Sequence, residues 1–305
     1  MSTWLVALLF ALGLGMLLVG ANLFVDSSLS IARRLHLSDL VIGATLVSLG
    51  TTLPELLVST TASLTGHSDL ALGSAVGSVL CNTALLGGLT LLFQPQNIDR
   101  RVMLRGGIFF FLALMTVSIF SWQGLMTRWA GLGLICMFGL YLLLVTRTTP
   151  DLPPVSGQER LLWVVVKLFA GTWLLSCGAN MLVDQGTALA AGVGVSERVI
   201  ALTLVAVGTS LPELFVMAAA LLKRRGGLSL GNLMGASILN LTLVLGAGAA
   251  AAPLAMTQPA LEIDLPIAAG AMAMLLLPAL VGKRTYRIQG LALLALYAAF
   301  LWMLV

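Results

Sequence analysis

Long apolar stretches separated by short polar connections follow one another along the whole chain. Each stretch has roughly 18 residues or more, the length that a helix needs to cross about 30 Å of hydrocarbon. The pattern therefore predicts an all-α integral membrane protein with ten transmembrane helices. The predicted helices lie near residues 4–25, 40–64, 70–93, 105–122, 129–146, 161–183, 198–222, 228–252, 265–281 and 288–305.

One connection differs from the others in composition. Residues 147–160, RTTPDLPPVSGQER, are rich in proline and polar residues. We interpret this segment as a linker that divides the chain into two halves, 1–146 and 161–305. Each half then contains five of the predicted helices.

The two halves repeat each other at a constant offset of 158 residues. VIGATLVSLGTTLPELLV (41–58) lies over VIALTLVAVGTSLPELFV (199–216), with twelve of eighteen positions identical, and the repeated motifs span 43–82 and 201–240. Because each half has an odd number of predicted helices, the second copy would cross the membrane in the opposite direction. The sequence thus predicts two inverted five-helix repeats, an architecture typical of secondary transporters, whose sites lie on interrupted helices at the membrane midplane.

Composition and charge argue against a soluble protein and against a nucleic-acid partner. Of the 305 residues, 59% are hydrophobic and 9% are charged, whereas soluble domains contain about 25% charged residues. Thirteen Lys and Arg residues fall on one side of the predicted membrane, and two, Arg128 and Arg198, fall on the other. Basic connections usually face the cytoplasm, so we place the linker there and both termini outside.

The sequence GTTLPE (50–55) recurs as GTSLPE (208–213), and each copy interrupts a predicted helix. Proline removes an N–H and crowds the carbonyl four residues earlier, which leaves carbonyl groups for other partners. Hydroxyl groups three and four residues before each glutamate share roughly one helical face with it. A charge at the membrane centre costs at least about 2.5–3.5 kcal/mol, and no Lys or Arg lies at an equivalent depth. Glu55 and Glu213 therefore suggest a site for cations that prefer oxygen ligands, such as Ca²⁺ or Na⁺.

These paired segments resemble the repeats of the cation/calcium exchanger superfamily, specifically the prokaryotic sodium/calcium exchangers. GTTLPE, GSAVGSVLCN, GTSLPE and GNLMGASILN stand in the family's order and spacing, and the resemblance covers essentially the whole chain. It implies that Glu55 and Glu213 are central ligands shared by Ca²⁺ and Na⁺. It further implies oxygen ligands from the side chains of Thr51, Thr52, Thr209, Ser210, Ser78, Asn82 and Asn240 and from the main-chain carbonyls of Ser48 and Ala206.

The resemblance also implies exchange of about three Na⁺ for one Ca²⁺ by alternating access, with the first and sixth helices sliding past the other eight. One departure concerns the sodium sites, since Ala236 stands where its repeat partner is Ser78. A Ca²⁺/H⁺ exchanger that uses the same glutamates is the alternative. The hydroxyl groups at positions 51, 52, 209 and 210 favour sodium.

Two further classes fit the sequence less well. A passive channel needs a continuous polar path, whereas the acids here lie in one layer. An enzyme is not expected, because both histidines lie outside the predicted core. The expected partners are Ca²⁺ and Na⁺ as transported ions and the lipid bilayer, with no cofactor. We expect a multi-pass protein of a prokaryotic plasma membrane, and the sequence leaves the oligomeric state open, with a monomer as one alternative.

Overall fold

The computed structural model describes residues 3–97, 99–122, 124–146, 160–192, 206–256, 258 and 260–304. Nearly all of these residues are helical. The helices are α1 (Thr3–Arg34), α2 (Asp39–Thr51), α3 (Leu53–Leu64), α4 (Ser68–Phe93), α5 (Arg100–Ser121), α6 (Arg128–Thr146), α7 (Leu161–Gly192), α8 (Ala206–Thr209), α9 (Leu211–Leu222), α10 (Gly226–Ala251), α11 (Ala260–Gly282) and α12 (Arg287–Leu304). The all-α prediction needs one small addition, because β1 (Leu125–Met126) pairs antiparallel with β2 (Leu254–Ala255).

Seven helices within the described ranges are long and apolar enough to cross a membrane, or eight if α2 and α3 count as one bent span. The protein is therefore a multi-pass membrane protein by length and composition. Two of the ten predicted helices correspond to shorter apolar helices, Leu211–Leu222 and Arg287–Met303. The predicted helix 198–222 begins outside the described residues, which resume at position 206.

Two helices extend well past the ends that hydropathy predicts. The predicted helix 4–25 continues to Arg34, and the predicted helix 161–183 continues to Gly192. In α1 the extra turns bury Leu29 and Ala32 against the protein. Packing stabilises the extra turns of α1, and hydropathy alone does not detect such turns.

Helices α4 and α10 form the centre of the molecule, and α1 and α7 lie at its edge. In the most apolar 18-residue stretch of each helix, 72% of α4 and 83% of α10 is buried, against 28% of α1 and of α7. Helices α1 and α7 pack along each other, where Gly20 lies against the backbone at Gly171 and Gly13 lies against Gly178. Small residues allow such close approach of helices in membranes.

Glycines also bring α10 against α2. A Cβ atom on Gly231 would meet the Leu40 carbonyl, and one on Gly235 would meet the Ala44 carbonyl and the Ser48 hydroxyl. The two backbones can approach this closely only because neither position carries a side chain. This contact joins the first half of the chain to the second directly beside the GTTLPE segment.

Candidate cation-binding site

Both predicted interruptions are present in the backbone. Helices α2 and α3 meet at a bend of 47°, where Thr52 has φ −84° and ψ 0°. Helices α8 and α9 meet at Ser210, which has φ −93° and ψ 9°. Pro54 and Pro212 each occupy the first turn of the helix that follows, where a missing N–H leaves no intrahelical bond unmade. The prolines thus start new helices.

Each break places a glutamate at the beginning of a helix. Glu55 lies in the first turn of α3 and Glu213 in the first turn of α9. The N-terminus of a helix carries unpaired N–H groups and a partial positive charge, and it stabilises a nearby carboxylate. A break followed by proline and glutamate therefore sets a buried acid at a position where the helix backbone stabilises its charge.

The two carboxylates are completely buried. Glu55 and Glu213 are 0% exposed, and each interacts electrostatically with buried groups of the other half. None of the four carboxylate oxygens completes a hydrogen bond within the described part of the chain. A buried carboxylate without a partner is very costly, so this arrangement requires a cation or a proton.

Hydroxyl groups surround the two carboxylates, and several of them make contacts between the halves. Ser78 lies near the Glu55 carboxylate, and Thr51 and Thr52 lie near the Glu213 carboxylate, although none of these contacts completes a hydrogen bond. The Ser210 and Ser78 hydroxyl oxygens are 3.5 Å apart. The fold therefore joins the two sequence motifs into one polar cluster.

Two asparagines add amide groups at equivalent places on α4 and α10. Asn82 lies in a π-helical turn, Cys81–Leu86, and Asn240 begins another, Asn240–Val244. Both side chains are 0% exposed, and their amide atoms find no partner among the described residues. Single π turns inside α-helices occur frequently at functional sites. Here they lie at the centre of the most buried pair of helices.

The remaining predicted site residues lie just before the two helix breaks in the sequence. Ser48 is buried, and its carbonyl oxygen lies 3.3 Å from the Thr51 hydroxyl, which donates to it. Thr209 is partly buried at the end of α8. Ala206 begins α8, and its side chain lies outside the described residues. The site thus combines two carboxylates with hydroxyl, amide and carbonyl oxygens, which are the ligands that Ca²⁺ prefers.

Two residues near the cluster are absent from the sequence prediction. Asn232 is 0% exposed on α10, and its Oδ1 accepts a hydrogen bond of 3.4 Å from the Thr51 hydroxyl. Cys81 is buried beside Ser210 and interacts electrostatically with Glu213. The repeat offset would have identified Asn232, because it pairs this residue with another polar residue, Ser74. For Cys81 the sequence carries no comparable signal.

The described residues contain no cluster of three or more His, Cys, Asp or Glu side chains that could hold a metal ion.

Comparison with known proteins gives consistent matches over the whole chain. The family described as sodium/calcium exchanger protein matches residues 5–147 and 163–305. The chain is 29% identical to the sodium/calcium exchanger MaX1 of Methanosarcina acetivorans, over 96% of this chain and 97% of that protein. It is 31% identical to the inner membrane protein YrbG of Escherichia coli, over 80% and 79% of the two chains.

Solved structures of the sodium-calcium exchanger NCX_Mj have the same fold. In crystals soaked with zero Na⁺ and Ca²⁺, that exchanger superposes with a TM-score of 0.89 at 30% identity, over 100% of both chains. In crystals soaked with 10 mM Na⁺ and 10 mM Sr²⁺ the TM-score is 0.87, over 98% of both chains.

Proposed function

Because this chain belongs to the sodium/calcium exchanger protein family, we propose that it exchanges Na⁺ for Ca²⁺ across a prokaryotic plasma membrane. Glu55 and Glu213 bind the cations in a site that opens to one side of the membrane at a time. The observation that carries this proposal is the pair of buried carboxylates, whose four oxygens have no hydrogen-bond partner within the described chain.

The charge balance explains why the two ions would compete. Two carboxylates carry two negative charges, and no Lys or Arg is buried among the described residues. One Ca²⁺ or two Na⁺ would therefore neutralise the site, and Ca²⁺ and the full set of Na⁺ could not bind together. The hydroxyl, amide and carbonyl oxygens would replace water around either ion. A third Na⁺, as the family resemblance implies, would need a site built from these neutral oxygens.

The proposed architecture is ten helices in two inverted repeats of five, 1–146 and 161–305, joined by the cytoplasmic linker 147–160. Its support comes from equivalent features at an offset of 158 residues. The break at Thr52 corresponds to the break at Ser210, and both asparagine positions carry a π turn. In this arrangement α1 and α7, packed together at the edge of the molecule, slide past the other helices, and both termini face outward.

A Ca²⁺/H⁺ exchanger remains the second candidate. The unpartnered carboxylate oxygens could accept protons in place of Na⁺. Ala236 also supplies no hydroxyl where the other half has Ser78. The hydroxyl groups of Thr51, Thr52 and Ser210 favour Na⁺, because several Na⁺ bound at once need more oxygen ligands than one Ca²⁺ exchanged for protons.

Purified protein in liposomes tests the proposal. Calcium uptake is measured with an outward Na⁺ gradient and, separately, with an outward H⁺ gradient of equal size. We expect uptake with Na⁺ and only background with H⁺. Uptake driven by H⁺ alone would assign the second candidate, and uptake with neither gradient would contradict calcium as the cargo.

A further inference from the structure

Asn232 is a buried amide at the contact between the two halves. It lies on α10, one helical turn before Ala236, and it is 0% exposed. Its Oδ1 lies 3.4 Å from the Thr51 hydroxyl, and its Nδ2 has no hydrogen-bond partner among the described residues. The amide therefore contacts one predicted cation ligand directly, without belonging to the predicted ligand set.

Two acceptors among the described residues complete hydrogen-bond contacts with the Thr51 hydroxyl. The Ser48 carbonyl lies at 3.3 Å and Asn232 Oδ1 at 3.4 Å. A hydroxyl group carries one proton and two acceptor lone pairs. If the proton points to Ser48, it occupies a carbonyl that is itself a predicted cation ligand. If it points to Asn232, the Ser48 carbonyl carries only the backbone hydrogen bond from the Thr52 N–H, at 3.0 Å, and keeps its second lone pair for a cation. The Thr51 oxygen can then turn its own lone pairs towards the same cation.

We propose that Asn232 is a positioning residue of the cation site. Its Oδ1 accepts a hydrogen bond from the Thr51 hydroxyl, so that the oxygens of Thr51 and Ser48 are both available to the cation. The inference rests on the proposed function, because it assigns Thr51 and Ser48 to the same site. Asn232 acts through Thr51 and is not itself a ligand.

The asymmetry between the halves explains why this amide is needed on α10. The repeat offset pairs Asn232 with Ser74 and Ala236 with Ser78. At position 236 the second half has no hydroxyl, so the polar group that faces the GTTLPE break comes from one turn earlier. A longer side chain can span that distance.

Close packing fixes the position of the amide. Gly231 and Gly235, on either side of Asn232, hold α10 against the backbone of α2 at Leu40 and Ala44. With the backbones held so near, the Asn232 side chain keeps a constant distance from Thr51. A rigid support of this kind is what a precise ligand geometry requires.

A double-mutant cycle tests the inference. The variants are Thr51→Val, Asn232→Leu, which keeps a branched side chain and removes the acceptor, and the double variant. Apparent affinities are read from the cation-dependent rise in melting temperature of the purified protein, using whichever of Ca²⁺ and Na⁺ stabilises the wild type. We expect each single variant to lose about tenfold in affinity, as for one lost hydrogen bond. The double variant should lose no more than Thr51→Val alone.

Additive losses, or unchanged affinity in Asn232→Leu, would overturn the inference, since coupled residues are non-additive. Asn232→Gln retains a neutral amide acceptor without adding charge and should restore most of the affinity, whereas a purely packing role would be served by Leu. Because the readout is binding and not transport, the outcome is independent of the counter-ion. Failure of Na⁺-driven uptake in the wild type would contradict the proposed function and leave this result standing.

Discussion

The two helix breaks have nearly the same backbone geometry and different surroundings. Thr52 and Ser210, at the two breaks, differ by about ten degrees in φ and ψ. The neighbouring helices differ more, since α4 offers Ser74 and Ser78 where α10 offers Asn232 and Ala236. Local sequence determines the break, because proline fits the first turn of a helix and is costly in a helix interior. The ligands around each glutamate depend on the facing helix, which is free to diverge.

The largest effect on calcium uptake is expected at the glutamates, which both copies share. Glu55→Gln and Glu213→Gln each remove one of two buried charges, so Ca²⁺ would enter a site with half the negative charge. We expect either variant to reduce calcium uptake at least about 100-fold, consistent with the cost of an uncompensated buried charge. Uptake into liposomes checks this, with Glu262→Gln as a matched control, because Glu262 is exposed on α11. Normal uptake by either site variant would contradict an equal role for the two copies.

The close contact between α2 and α10 gives the next largest effect. A methyl group at Gly235 would meet the Ala44 carbonyl and the Ser48 hydroxyl. We expect Gly235→Ala to lower the free energy of unfolding by about 1–3 kcal/mol through overpacking and to weaken cation binding by displacing Ser48. Denaturation measurements check the first effect. Gly139→Ala on α6 is the control, since a Cβ there meets nothing within 4 Å among the described residues. Equal stability of the two variants would argue against the tight contact.

A buried tyrosine supports the first copy. The Tyr141 hydroxyl donates a hydrogen bond of 3.1 Å to the Ala44 carbonyl, within the π turn Gly43–Val47. The repeat partner of Tyr141 is Ala299, which has no hydroxyl. We expect Tyr141→Phe to lower the free energy of unfolding by about 1 kcal/mol. A melting temperature identical to that of the wild type would mean that this turn needs no support from α6.

The smallest effect should come from exchanging the residues that distinguish the copies. Ala236→Ser gives α10 the hydroxyl of α4, and Ser78→Ala does the reverse. We expect the first to improve the apparent Na⁺ affinity about threefold and the second to weaken it by at least as much, the range of one modest hydrogen-bonding group. Sodium dependence of calcium uptake measures both. If Ala236→Ser responds to Na⁺ as the wild type does, position 236 plays no part in the sodium site.

The sequence is sufficient to predict the two helix breaks. It does not predict the π turns at the site or the packing of α10 against the first break. Proline followed by glutamate inside an apolar run predicts a helix start with a buried acid, and both are present at Glu55 and Glu213. Hydrophobic periodicity does not distinguish a π turn from an α turn, so it does not predict the turns at Asn82 and Asn240. The contact of Asn232 with Thr51 spans 181 positions of sequence, and only packing of α10 on α2 creates it.

The most direct test of a shared site is the number of calcium ions bound by the purified protein in detergent. Equilibrium binding is measured for the wild type, Glu55→Gln, Glu213→Gln and the Glu262→Gln control. If both carboxylates hold the same ion, the wild type and the control bind one Ca²⁺ with high affinity, and each site variant loses that binding completely. If the wild type binds two ions and each site variant retains one, the two glutamates form separate sites, which would contradict a single cation site shared by the two halves.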